Sequence, residues 1–348
     1  MTASRPNLAD LDYIDKRIGR TLHAMLYEHG PANGAFLGLP FDQLVEHGPG
    51  HEFKWEGSAK PASVIELGNR GPFSALVLSV GQAEKYHKDV DIPLILKLDG
   101  HFYTGKATNS TYPYHTNFGS VEGAIEIGAD AIGATFYLGN EKTGDDVERI
   151  GRLREAAHAN GLPLVVWSYP RGPVPDATQA DSLMWCHYAV SAAESLGADI
   201  VKTKFPTVVP LSKRAAYEDF LLGEYVSKIP EATRYLELEP STEQLQEYTD
   251  SLKEGEKPNY DSLLSREQHI ERAGIVTGAG TRTFVIYSGG AKIKGDAETA
   301  LRTSTEYIME AGGEGRIIGR NLWGVPIDEG LELANAVCEV MQADAYTR

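Results

Sequence analysis

The stretch that decides the fold runs from residue 161 to residue 204, GLPLVVWSYPRGPVPDATQADSLMWCHYAVSAAESLGADIVKTK. Within it, PLVVWSY (163–169) is a short apolar, β-branched run that reads as a buried strand. LMWCHYAVSAAESL (183–196) places apolar residues at i, i+3 and i+4, the period of a helix. Gly197 is positioned to cap that helix, and ADIVKTK (198–204) follows as a second strand. Strand, helix and strand in this order make a parallel βαβ unit.

The same rhythm extends in both directions. GAFLGLP (34–40), SALVLSV (74–80), PLILKLD (93–99), AIGATFYLG (131–139), RTFVIYSGG (282–290) and RIIGRN (316–321) bring the strand signals to eight. Helical patterns such as VERIGRLREAAHAN (147–160) lie between them, and Gly128, Gly161, Gly197, Gly274 and Gly312 or Gly313 are the expected C-terminal caps. Near-continuous apolar strands imply a parallel sheet covered by helices. The expected fold is α/β, a closed (β/α)8 barrel of the TIM type. An open doubly wound sheet is the alternative. It is disfavoured because polar, reactive residues end many strands and do not gather at one switch point.

The predicted organisation is one barrel domain over residues 1–348. Residues 1–33 form an N-terminal extension, and a segment of about 207–266 is inserted between strands six and seven. That insertion is polar, rich in Glu and Tyr, and carries Pro206, Pro210, Pro230, Pro240 and Pro258. It is expected on the active-site side or at a subunit contact.

Composition narrows the function. With 42% hydrophobic residues and 24% charged, the 348-residue chain has material for a large core and no signature of disorder. A formal charge of −16 argues against nucleic-acid binding, which needs clustered cations, but leaves room for a small phosphorylated substrate. Two cysteines, Cys186 and Cys338, make neither a disulfide framework nor a Cys-rich zinc site. MTASRPNLADLDYIDKR has no apolar run of a signal peptide, and no run reaches the ~18 apolar residues of a membrane span. A cytoplasmic protein is expected.

Four constellations could carry chemistry. Lys202 and Lys204 alternate on one strand and point to the barrel interior with Ile200, while Val201 and Thr203 face the helices. Two ammonium groups there are costly unless used or paired, and a desolvated lysine beside a second cation becomes a nucleophilic amine. Spacing does not choose between the two. In VVWSYPRG (165–172), Trp167 and Tyr169 share one face and Arg171 lies on the following loop, so Tyr169 is a candidate acid or base. Asp42, after the first strand, can reach the barrel mouth. His47 and His51 are separated by Gly48, Pro49 and Gly50, so no helix holds them together, and no metal is expected. Finally, SGG (288–290) and Gly319–Arg320 end the seventh and eighth strands, where barrels bind phosphate with backbone N–H groups. Lys97 and Asp99, on one face of LILKLDG, are a possible ion pair with either a structural or a functional role.

Together, DQLVEHG (42–48), AEKYHKDVDIPLILKLDG (83–100), VVWSYPRG, GADIVKTK (197–204), SGG and IIGRNLW (317–323) resemble the archaeal-type class I fructose-bisphosphate aldolases, in the longer form that includes bacterial members. The resemblance covers roughly residues 34–205 and 266–340, in family order. It implies that Lys202 forms the Schiff base, Tyr169 moves protons at the scissile bond, and Asp42 assists with Gln43 beside it. It further implies that Trp167 shapes the wall, that Arg171 and Lys204 lie on the substrate side, and that Ser288, Gly289, Gly290, Gly319 and Arg320 bind the phosphate next to the reacting carbonyl. No cofactor or metal is implied. The implied partner is a sugar phosphate, and the implied assembly a homo-oligomer. One departure is local: Asp42-Gln43-Leu44 stands where the family often shows Asp-His-Gly or Asp-Gln-Gly. Competing readings keep the imine but change the ketose phosphate, as in aminodideoxyheptulosonate synthase or a transaldolase-like enzyme, or abandon it for a metal-free sugar-phosphate isomerase.

Overall fold

The computed structural model describes residues 8, 14–42, 45–46, 55–58, 60–101, 115–290, 293 and 295–347. Gln43, Leu44, His47 and His51 therefore lie outside the described residues. Eight strands form the barrel: β1 (Phe36–Phe41), β2 (Ala75–Ser79), β3 (Leu94–Lys97), β4 (Ala131–Leu138), β5 (Leu164–Pro170), β6 (Ile200–Thr203), β7 (Phe284–Ser288) and β8 (Gly315–Ile317). Each pairs in parallel with its sequence neighbour, and β8 closes onto β1 with Phe36 opposite Gly315. The closed barrel is thus the fold, and the open sheet is excluded.

The seam between β8 and β1 depends on a glycine. Gly315 has φ +144°, and a Cβ there would lie 2.1 Å from the Phe36 carbonyl oxygen. Only a residue without a side chain lets the last strand approach the first this closely. The four glycines Gly128, Gly161, Gly197 and Gly312 have φ between +72° and +85°, the left-handed conformation of helix caps. Gly274 corrects the expectation. It lies inside the helix Arg266–Gly278, which runs on to a cap at Ala279. The glycine pattern misleads there because a helix tolerates one interior glycine at a cost of about 1 kcal/mol.

Alternation along each strand divides the apolar residues between two cores. Val165, Trp167, Ile200 and Ile286 pack inside the barrel, whereas Val166, Val201 and Val285 pack outward against the helices. The N-terminal segment has a defined role in this scheme. Helix α1 (Lys16–His23) and its continuation through Glu28 bury Ile18, Leu22, Met25 and Leu26 against the interior cluster at the strand starts, including Phe36, Ala75 and Phe284. An apolar helix face thereby stoppers the barrel end opposite the strand C-termini.

Of the two places expected for residues 207–266, the active-site side finds no support in the cavity lining, since none of them lines the central cavity. After β6 the chain forms helix Leu211–Phe220 and, further on, Thr242–Ser251, and packs outside the barrel, with Phe220 stacked on Trp185 at 5.5 Å. One buried ion pair staples it down. The Arg272 guanidinium donates to Glu239 Oε1 at 2.7 Å, to the Leu238 carbonyl at 2.8 Å and to the Thr207 carbonyl at 2.9 Å, while Glu239 Oε2 accepts from Val209 N–H at 2.9 Å. The sequence pattern concealed this because Arg272 looks like an ordinary polar residue on helix Arg266–Gly278. Among the described residues, no helix is long and apolar enough to cross a membrane.

Arg272→Met should strand the Glu239 carboxylate in the core and lower stability by about 3–5 kcal/mol, whereas Arg272→Met with Glu239→Leu should regain most of that loss. Urea denaturation of the two variants and the parent chain measures both effects.

Candidate active site

At the C-terminal ends of the strands lies a cavity of about 320 Å³, lined by residues from Pro40 of β1 round to Arg320 after β8. Strand register sets its floor. Trp167 on β5 pairs with Lys202 on β6, and its indole is packed between two ammonium groups, Lys202 Nζ at 5.1 Å and Lys97 Nζ at 5.3 Å from the ring centroid. Gly133 on β4 makes room for the ring, since a Cβ there would come within 2.4 Å of it.

The two buried lysines have opposite electrostatic settings. Lys97 Nζ lies 2.5 Å from Asp99 Oδ1 and 3.6 Å from Glu46 Oε1. Asp99 Oδ2 in turn accepts from Arg149 and from Thr135 N–H, each at 2.7 Å. Burial pushes Lys97 down, but Asp99, Glu46 and Asp42 outweigh it and hold the ammonium above its ordinary range. Burial likewise pushes Asp99 up, and Lys97, His115 and Arg149 more than reverse this, keeping it a carboxylate. The sequence pairing of Lys97 with Asp99 is thus realised.

Lys202 is 6% exposed and has no ion pair among the described residues. Burial lowers its pKa to about 8; Asp42 and Glu46 oppose the shift, while Lys97 and Lys204 reinforce it. Lys204, the other candidate, sits at the rim and is 3.6 Å from Asp181. Burial therefore separates two lysines that spacing left equivalent.

Tyr169 lines the same cavity, with Lys204 Nζ and Arg171 Cζ 5.9 and 5.8 Å from its ring centroid. Arg171 is held by Asp181 at 3.2 Å and by the Pro170 carbonyl at 2.6 Å. Burial raises the Tyr169 phenol well above its ordinary pKa, with the Asp42 and Glu46 charges adding to the effect and Arg171 opposing it. The resting phenol keeps its proton. Asp42, directly after β1, is buried in the cavity wall.

On the far side, Ser288, Gly289, Gly290, Gly319 and Arg320 all line the cavity. Two side chains stitch their loops together: Arg320 donates to the Gly290 carbonyl and Asn321 to the Gly289 carbonyl, each at 3.2 Å. Gly289 needs correction as an anion donor, because its N–H is spent on the Ile317 carbonyl at 2.9 Å. Its value is closeness: a Cβ would press within 3.0 Å of Ile318. Among the described residues, the Ser288 hydroxyl and the Trp167 indole N–H, on two cavity-lining residues, are buried without a hydrogen-bond partner.

The cavity also recruits Glu46, His101 and Tyr137, which were not singled out from the sequence. Tyr137 was legible in principle, since it shares the inward face of AIGATFYLG with Thr135. His101 lies in a loop, where no periodicity announces direction, and Glu46 lies in helical backbone after β1 that no apolar periodicity in the sequence announced.

A closed β/α barrel with an amine of lowered pKa beneath an anion-friendly rim is the equipment of an imine-forming enzyme acting on a phosphorylated carbonyl compound. Comparison with known proteins gives the family. The DeoC/LacD family aldolase model matches residues 36–324, and the chain belongs to that family. It is 28% identical over 98% of its length to a probable fructose-bisphosphate aldolase class 1 of Chlamydia pneumoniae, covering 91% of that protein. Over 49% of the chain it is 37% identical to the fructose-bisphosphate aldolase class 1 of Thermoproteus tenax, covering 63% of that protein. A solved archaeal fructose-1,6-bisphosphate aldolase, whose catalytic Lys is covalently bound to the carbinolamine intermediate of its substrate, superposes with TM-score 0.66 at 25% identity, over 91% of this chain and 99% of that one.

The lowered Lys202 pKa carries a stability consequence. Below pH 8 the folded chain must hold a desolvated ammonium, at a penalty of about 3 kcal/mol for a shift from 10.5 to about 8, and this penalty fades as pH rises from 8 towards 10.5. Lys202→Met should therefore be more stable than the parent at pH 7, with a smaller margin at pH 9.5, in urea titrations at the two pH values.

Proposed function

We propose that this chain is a class I fructose-1,6-bisphosphate aldolase that cleaves its substrate reversibly to dihydroxyacetone phosphate and glyceraldehyde 3-phosphate through an imine on Lys202. The observation that carries this reading is the buried Lys202 amine at about pKa 8, beside Trp167 and without an ion pair among the described residues. At pH 7 about a tenth of such an amine is neutral and nucleophilic, against less than about a thousandth of an ordinary lysine.

Neutral Lys202 attacks the C2 carbonyl to give a carbinolamine, and its nitrogen proton passes to the new oxygen. Tyr169, protonated at rest, donates to the departing hydroxyl, so water leaves and an iminium cation forms beside the phenolate. The phenolate takes the C4 hydroxyl proton as the C3–C4 bond breaks, and the electron pair flows into the iminium to give the enamine. Reprotonation at C3 and attack by water release dihydroxyacetone phosphate and restore the amine. Asp42, with Gln43 beside it, holds substrate hydroxyls. Ser288, Gly290, Gly319 and Arg320 hold the 1-phosphate, with Gly289 keeping their loop close. Arg171 and Lys204 face the distal end. Fixing both ends aligns C2 over the amine, which turns binding into rate.

In the same reading, residues 1–348 are one barrel unit with its extension and insertion, working in the cytoplasm, where phosphorylated sugars are retained. Exposed Leu222 and Ile229 on the insertion support a homo-oligomer.

Sodium borohydride with dihydroxyacetone phosphate and EDTA should leave a substrate-sized adduct on Lys202, located by peptide mass mapping and absent from Lys202→Met. An adduct on Lys204 would overturn the residue assignment. Absence of any adduct in protein that binds the sugar phosphate would overturn the aldolase and favour an isomerase. Tyr169→Phe should still trap some imine but lose about 10²- to 10⁴-fold in kcat, read in a coupled cleavage assay.

A further inference from the structure

A second cluster of reactive groups lies on the cavity wall away from Lys202. One ligand atom from each of Glu46, His101 and His115 falls within 4.8 Å of the other two. Three chain segments bring them together: the helical backbone at Glu46 after β1, the residue after Asp99–Gly100, and the residue before Thr116–Asn117. Asp99–Gly100 and Thr116–Asn117 pair as a short antiparallel ladder, which sets the two histidines side by side with His101 Nδ1 3.0 Å from His115 Nε2.

The decisive atom is His115 Nδ1. His115 is 3% exposed, and its Nδ1 has no hydrogen-bond partner among the described residues. It points between two carboxylates, 3.5 Å from Asp99 Oδ1 and 3.6 Å from Glu46 Oε1. These separations are long for hydrogen bonds. The separation from Glu46 Oε1 is close to the ~3.4 Å between ligand atoms that share a tetrahedral ion with bonds of about 2.0–2.1 Å. Two imidazoles and one carboxylate are a donor set for zinc and its neighbours in the first transition row.

We propose that Glu46, His101 and His115 bind one zinc-type divalent cation in the wall of the active-site cavity. The charges around it permit this. Lys97 lies 3.6 Å from Glu46 Oε1, but Asp99 at 2.5 Å already answers its charge, and Arg149 is answered by Asp99 and Asp146. Glu46 and His101 line the cavity, so the remaining coordination positions of the cation are reachable from it. The site shares its cavity with Lys202, where the imine chemistry takes place, and Glu46 also acts on the Lys202 charge.

Titrating ZnCl2 into the EDTA-stripped, desalted full chain by calorimetry should give one site per chain. His101→Ala and Glu46→Gln should each weaken it at least 10-fold. Substitution with CoCl2 should give the intense visible bands of a tetrahedral ion, lost in His101→Ala. His101 is the primary variant because it is only half-buried, and circular dichroism checks that each variant folds. The absence of a stoichiometric site, or unchanged binding in folded His101→Ala and Glu46→Gln, would overturn the proposal. Because the readout is metal binding, failure here leaves the Lys202 trapping result untouched.

Discussion

The site rests on the ion pair between Lys97 and Asp99. A parallel barrel turns alternate side chains inward, so a lysine near a strand end is forced into a space where water is scarce. Asp99, held by Arg149 and the Thr135 N–H, keeps Lys97 charged and in place. Trp167 fills the gap between this ammonium and the next one. Lys202 is then the buried amine with no ion pair among the described residues, and desolvation outweighs the opposing charges of Asp42 and Glu46. Removing the anchor would change the charge of the whole floor.

The second constraint is closure. A barrel has no free edge only if its last strand reaches its first, and Gly315 permits that approach at Phe36. Closure brings the loops after β7 and β8 beside the start of the loop after β1. Asp42 and Arg320, distant in sequence, thus come to share one cavity. The N-terminal helix shuts the other end with apolar side chains. The cavity therefore opens only where the polar residues are.

Much of this was legible because alternation is local. The eight apolar runs, the inward face shared by Trp167 and Tyr169, and the partition of Ile200 and Lys202 from Val201 each follow from a period of two along a strand. Glycine caps were legible where the chain turns left-handed, as at Gly161 and Gly197. They were not at Gly274, where packing carries the helix onward. The insertion was recognisable by its length and prolines. Its docking outside the barrel was not, because that depends on Arg272 and Glu239 meeting across more than thirty positions of chain.

By itself the sequence determined the barrel, the order of its strands and the residues that end them, since each depends on neighbours a few positions away. Tertiary structure decided which lysine loses its water, that burial holds the Tyr169 phenol well above its ordinary pKa, and that Glu46, His101 and His115 converge. Burial and Coulomb interactions sum over all groups within several ångströms, whatever their distance along the chain. Lys202 and Lys204 are alike in composition and spacing, and only the packed barrel makes one a desolvated amine and the other a rim cation held by Asp181.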